Sequence, residues 1–120
     1  GLKFAVSLKK NDNFIGRGAI EKIISRPLRK KLALFSLKNC TKPGTPLLMH
    51  DEPIFLKKKI VGQSTSSNYS FIYNKNIFLA YVRTDIDLSD KLSIEVEEKK
   101  YDIKFEKECL HDPKNLILRN

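Results

Sequence analysis

Lys59–Val82, KIVGQSTSSNYSFIYNKNIFLAYV, is the stretch whose reading decides the fold. It reads as two strands joined by a polar crossing. The first is Lys59–Ser66, entered by Ile60 and Val61 and continued by a hydroxyl and amide run from Gln63 to Asn68. The second is Asn76–Val82, with Ile77, Leu79 and Tyr81 on one side and Phe78, Ala80 and Val82 on the other. β-Branched and aromatic residues without a helical period favour strand. A strand apolar on both sides is expected to be buried on both sides. Gly62 inside a strand points to a bulge, a bend or a close backbone approach. Such strands suit a small closed barrel, whose corners are turned at bulges.

The neighbouring sequence extends this pattern. Leu2, Phe4, Val6 and Leu8 alternate with Lys3, Ala5 and Ser7, predicting an N-terminal strand that ends in Lys9-Lys10. After the turn residues Asn11-Asp12-Asn13, a short helix is predicted over Gly16–Ser25, with Ala19, Ile20, Ile23 and Ile24 on one face. Pro27 cannot continue that helix. Further strands are expected at Leu32–Leu37, near Leu47–His50, at Pro53–Leu56, at Leu92–Val96 and at Tyr101–Phe105. The turn at Lys57-Lys58 lacks glycine or asparagine, so a longer loop is expected there. The predicted fold is all-β: a six- to seven-stranded antiparallel Greek-key barrel with an N-terminal strand and a short helix.

A chain of 120 residues bounds the architecture to one core. No run reaches the roughly 18 apolar residues of a membrane helix, and no signal peptide is expected from the opening Gly1-Leu2-Lys3-Phe4. Cys40 and Cys109 have no framework spacing and read as free thiols in a reducing compartment. With His50 and His111 scattered elsewhere, they make a poor zinc set, and no metal is expected. The net charge of +9 is uneven: 14 basic and 4 acidic residues up to Lys59, then 9 basic and 10 acidic. This asymmetry marks either a solvated basic face or a surface for an acidic neighbour or nucleic acid.

Catalytic chemistry finds little support. The hydroxyls of Ser64-Thr65-Ser66-Ser67 lack a G-x-S-x-G frame and a neighbouring histidine, and cross-strand pairing explains them. Gly16-x-Gly18 is not a phosphate loop. Glu95 and Glu97 alternate with Ile94 and Val96 and so read as a wet face. No activity is expected of this chain alone. A nucleic-acid platform would need Tyr69, Phe71 and Tyr73 to share a face with Lys30, Lys31, Lys57 and Lys58.

Several segments, in order, resemble the C-terminal barrel of glycine-cleavage T-proteins. FIGRGAIEKI (Phe14–Ile23) is similar to the segment introducing that domain, and RKKLALFSL (Arg29–Leu37) to its opening strand. DEPIFLKKKIVGQSTSSNYSFIYNKNIFLAYV (Asp51–Val82) resembles its central P-[IV]…V-G-x-x-T-S-G…K-x-I-A-L-A-Y-V pattern. The ending CLHDPKNLILR is similar to the tail of dimethylglycine and sarcosine dehydrogenase-type proteins. Ser67, Lys57-Lys58 and Gly18 depart from the family pattern.

The resemblance implies an accessory domain of a tetrahydrofolate-dependent aminomethyltransferase-type protein. Residues 1–28 would connect from a folate-binding body, and residues 29–120 would form the barrel that closes the folate cavity. The chain is accordingly expected to be a C-terminal piece of a longer protein, with the catalytic group in the earlier domains. The implied folate contacts are Lys10, with Lys9 as its neighbour, and His111. Tetrahydrofolate would be held mainly by the preceding domains, and FAD would belong to the parent if it is of the dehydrogenase type. The implied setting is the cytoplasm, or the mitochondrial matrix in a eukaryote, with the preceding domains as partners. The alternative is a free-standing basic barrel that binds single-stranded nucleic acid or a partner protein.

Overall fold

The computed structural model describes residues 6–10, 13–40, 42–114 and 116–117. One helix, α1 (Arg17–Ile24), precedes six strands: β1 (Lys30–Leu37), β2 (Pro53–Leu56), β3 (Lys59–Ser70), β4 (Lys75–Arg83), β5 (Leu92–Val96) and β6 (Lys99–Glu106). They close into an antiparallel barrel in the order β1-β4-β3-β2-β5-β6, with β6 returning to β1. Strands β2, β3 and β4 are successive neighbours, and β1 lies beside β4 after a long connection to β2. That is a Greek key.

The core follows the two-residue period of the strands. Ala33, Phe35 and Leu37 of β1 meet Phe78, Ala80 and Val82 of β4, Ile54 of β2, Leu92, Ile94 and Val96 of β5, and Ile103 of β6. Phe35 stacks on Phe78 at 5.5 Å between ring centroids, and Phe105 tilts against Phe35 at 5.9 Å. Such ring pairs contribute beyond their buried area.

Gly62 behaves as its position in the strand suggests. The register shifts between Ile54 and Phe55, leaving Val61 as the extra residue of a bulge next to Gly62. A Cβ at Gly62 would stand 2.7 Å from Val82 Cγ1 and closer still to the Tyr81 carbonyl oxygen. Only a missing side chain lets β3 lie this close to β4 there. A second shift, between Ser64 and Ser66, leaves Thr65 bonding the Leu79 carbonyl through its hydroxyl at 3.2 Å.

Several expectations change. β4 is buried on one side only: Asn76, Phe78, Ala80 and Val82 point inward, while Leu79 and Tyr81 are exposed. The Lys57-Lys58 turn is a tight two-residue hairpin, because Leu56 pairs directly with Lys59 and Lys57 takes a left-handed φ of 57°. Residues 47–50 form no strand and are held instead by side-chain hydrogen bonds. Helix α1 buries no residue, and Ile23 and Ile24 remain exposed. Most of the predicted N-terminal strand lies outside the described residues, and residues 6–10 are not strand.

Replacing Gly62 with alanine is expected to destabilise the barrel by about 1–3 kcal/mol through overpacking against the β4 backbone. Urea unfolding should show a lower midpoint at an unchanged slope. An unchanged midpoint would mean that the close approach is not tight.

Candidate functional site

The two sides of the barrel wall have different exteriors. Outside β2, β5 and β6, long polar chains cover the sheet: the Lys100 ammonium sits 3.9 Å over the Phe55 ring and 3.8 Å from Glu95, and Lys91 pairs with Asp102 at 3.6 Å. Outside β1 and β4, the exterior is apolar. Cross-strand register places Leu32 beside Tyr81 and Leu34 beside Leu79, with Ile77 beside Ser36. Leu32 is 41%, Leu79 37% and Tyr81 46% exposed. Leu32, Leu34, Ile77 and Leu79 floor an open trough bounded by Ser66 and Asn68 of β3 on one side and by Glu106, Glu108 and Cys109 on the other.

A buried carboxylate lies at one margin of this trough. Glu106 accepts a hydrogen bond from Ser36 Oγ at 2.7 Å and ion pairs from Lys104 at 3.2 Å and Lys75 at 3.9 Å. Burial is tolerable because both carboxylate oxygens are partnered. The Asn76 side-chain amide nitrogen is buried without a hydrogen-bond partner among the described residues.

The serine cluster serves the loop before β2. Ser64 Oγ donates to Glu52 Oε2 at 2.6 Å and accepts from the Glu52 amide at 3.0 Å. Glu52 Oε1 in turn accepts the Met49 amide at 2.8 Å, while the Ser67 hydroxyl faces the carbonyls of Leu48 and Met49. These bonds seat Leu48 in the core and leave Leu47 and Met49 outside. His50 does not join this network; its Nδ1 lies 2.8 Å from Asp51, whose other oxygen accepts from Gln63. Ser64 is fully buried, and its hydroxyl is occupied with the Glu52 carboxylate and the loop backbone.

Lys10 and Lys9 are exposed, and the Lys10 carbonyl accepts from Arg17 at 2.8 Å. His111 is exposed and its carbonyl accepts the Cys109 thiol at 3.1 Å. Neither Lys10 nor His111 borders the trough, and no described contact joins them. The tail preceding His111 is tied back to the β3–β4 turn by a hydrogen bond from the Tyr73 hydroxyl to the Leu110 carbonyl. The Cys40 thiol is pushed up by burial. The trough itself was not read from the sequence. The signal was present in Leu32, Leu34, Leu79 and Tyr81, apolar residues of the parity opposite to Ala33, Phe35, Ala80 and Val82.

The basic and aromatic residues do not converge. Tyr69 and Phe71 pack edge-on at 5.1 Å between centroids, at the end of β3 remote from Lys57–Lys59. At the rise of a strand that separation is about 35 Å.

The glycine cleavage T-protein C-terminal barrel domain family matches residues 30–112. An aminomethyltransferase of Listeria welshimeri is 38% identical over 106 residues, covering 88% of this chain and 28% of the relative. Human mitochondrial dimethylglycine dehydrogenase is 30% identical over 102 residues, covering 84% of this chain and 11% of the relative. A 4-methylaminobutanoate oxidase (formaldehyde-forming) of Paenarthrobacter nicotinovorans is 26% identical over 119 residues, covering 99% of this chain and 14% of the relative. The chain thus spans less than a third of each relative's length.

Replacing Ser64 with alanine strands the Glu52 carboxylate and amide, and is expected to cost about 1–3 kcal/mol. Hydrogen exchange at the Met49 amide should accelerate while the β4 amides stay protected. Uniform acceleration through β4 would instead make Ser64 part of the global core.

Proposed function

The chain belongs to the glycine cleavage T-protein C-terminal barrel family, and from that premise we propose that it is the accessory barrel of a tetrahydrofolate-dependent aminomethyltransferase-type protein. The parent would be either a plain T-protein or a dimethylglycine/sarcosine dehydrogenase-like flavoenzyme with FAD in an earlier domain. The observation that carries this reading is the bare apolar exterior of β1 and β4, where Leu32, Leu34, Ile77 and Leu79 floor the trough and Tyr81 lies beside Leu32. An apolar strip on one side of a barrel whose other side is covered by charged chains marks a contact surface. Helix α1 adds to it, since a short amphipathic helix that buries none of its residues among the described ones gains little stability by itself. Both features suit a body packed against this side and continuous with residues 1–28, the barrel proper being residues 29–120.

In this role the barrel closes one wall of a folate cavity and excludes water from the reacting amine and one-carbon unit. The exposed Lys10 ammonium suits a carboxylate of a glutamate-tailed pterin, and the exposed His111 ring suits the cavity's edge. One cation and one imidazole make a margin, not a site, so most folate contacts would come from the preceding domains. Among the described residues no helix is long and apolar enough to cross a membrane. The setting we assign is the cytoplasm, or the mitochondrial matrix in a eukaryote.

Titration of the purified chain with tetrahydrofolate is expected to give an affinity about 100-fold or more below that of the intact longer protein, with no turnover. Affinity equal to that of the intact protein, or turnover by the chain alone, would overturn the accessory role. In the intact protein, Lys10→Ala should raise the folate Kd about tenfold at low salt. An unchanged Kd would remove Lys10 from the cavity.

A further inference from the structure

We propose that the end of the barrel at the β2–β3 turn is a second docking site, built for an acidic segment of a partner polypeptide that carries an apolar side chain. This inference is independent of the folate reading. The site is a hollow whose floor is Leu56, Val61 and Ile86 and whose rim is Lys57, Lys58, Lys59 and Arg83.

Two of the nearby cations are already engaged. The Arg83 guanidinium donates twice to Asp85, which raises the arginine's pKa and holds the Asp85 carboxyl below the ordinary range, chiefly through that hydrogen bond. Lys31 Nζ donates to the Ile86 carbonyl at 3.2 Å and so fixes the floor. The other three are not engaged. Among the described residues, no carboxylate lies within ion-pair distance of Lys57, Lys58 or Lys59. Three consecutive ammonium groups on a tight turn repel one another, and Lys57 adopts a left-handed backbone that asparagine or glycine would take more easily. Arg29 and Lys30 border the adjoining hollow, which shares Arg83, so the cationic strip continues past the turn.

The chemistry of the hollow selects among anions. An apolar floor of aliphatic side chains beneath unpaired ammonium groups matches a peptide that alternates carboxylates with an aliphatic or aromatic anchor. A single-stranded nucleic acid would need rings to stack its bases. The ring pair Tyr69–Phe71 is at the remote end of β3, and no aromatic residue lines the hollow. The hollow is open along the turn, which suits a chain segment rather than an enclosed small molecule.

The test is an NMR titration of the isotope-labelled chain with a synthetic peptide of about a dozen residues alternating glutamate and leucine. Parallel titrations use an all-glutamate peptide and a thymidine oligonucleotide of similar charge. The expected shifts fall on Leu56–Lys59, Val61 and Ile86. Affinity should drop about threefold or more between low and physiological salt. Lys57→Glu, Lys58→Glu and Lys59→Glu combined should weaken binding about 30-fold or more at an unchanged melting temperature. The all-glutamate peptide should bind about fivefold more weakly than the alternating one. The proposal is overturned if the alternating peptide fails to shift these residues, if the triple variant binds it as tightly, or if the oligonucleotide binds equally well through the same lysines.

Discussion

The Phe35–Phe78 stack, with Phe105 against it, is the contact on which the rest of the structure depends. Phe35 sits on β1, the strand that pairs with both β4 and β6 and thereby closes the ring. Once these rings face inward, the alternation of β1 and β4 is settled, because a one-residue slip would turn every side chain over. Ala33, Leu37, Ala80 and Val82 then fill the interior. Leu32, Leu34, Leu79 and Tyr81 are left outside. The apolar exterior is thus a consequence of the core register. It is also the feature on which the proposed docking role rests.

How the remaining wall is finished supports the same view. Over β2, β5 and β6 the ring of Phe55 is shielded by Lys100, and charged pairs tie neighbouring strands together. Such exposed pairs add little stability, but they keep an exterior soluble and unattractive to other apolar surfaces. Nothing equivalent covers β1 and β4 among the described residues. The trough there has a fixed shape, because Glu106 is clamped by Ser36 and two lysines at one margin and the bulged β3 forms the other. A preformed surface loses little entropy on docking.

Much of this was legible in the sequence, for stated reasons. β2 and β5 fall where they were expected, β2 as a short apolar run opened by proline and β5 as a short alternation flanked by charge. The bulge at Gly62 was legible because an unaccompanied glycine in a strand has few other uses. The family match over residues 30–112 agrees with the resemblance read from the V-G-x-x-T-S and L-A-Y-V segments. The exterior of β4 was not legible. Continuous apolarity normally means burial on both faces, and a strand that keeps one apolar face for a partner has the same spelling. The Lys57-Lys58 turn was misjudged because turn preferences hide the cases where lysine accepts a left-handed conformation. Residues 47–50 open on a short apolar run that reads like a strand but owe their place to Glu52, Ser64 and Ser67, which no local pattern announces. No sequence signal joined Lys10 to His111, and their roles stand on family resemblance.

The central claim is that the outside of β1 and β4 is an interior surface in the working protein. Thiol labelling of a cysteine substituted for Leu79 measures this most directly, read by mass spectrometry at that position so that Cys40 and Cys109 do not interfere. In the 120-residue chain the thiol should react about as fast as an exposed cysteine. In the intact longer protein it should react about 100-fold more slowly, as an opening equilibrium of about 3 kcal/mol would give. Equal rates in the two would show that nothing packs there, and the account of the barrel as a docked wall would be contradicted.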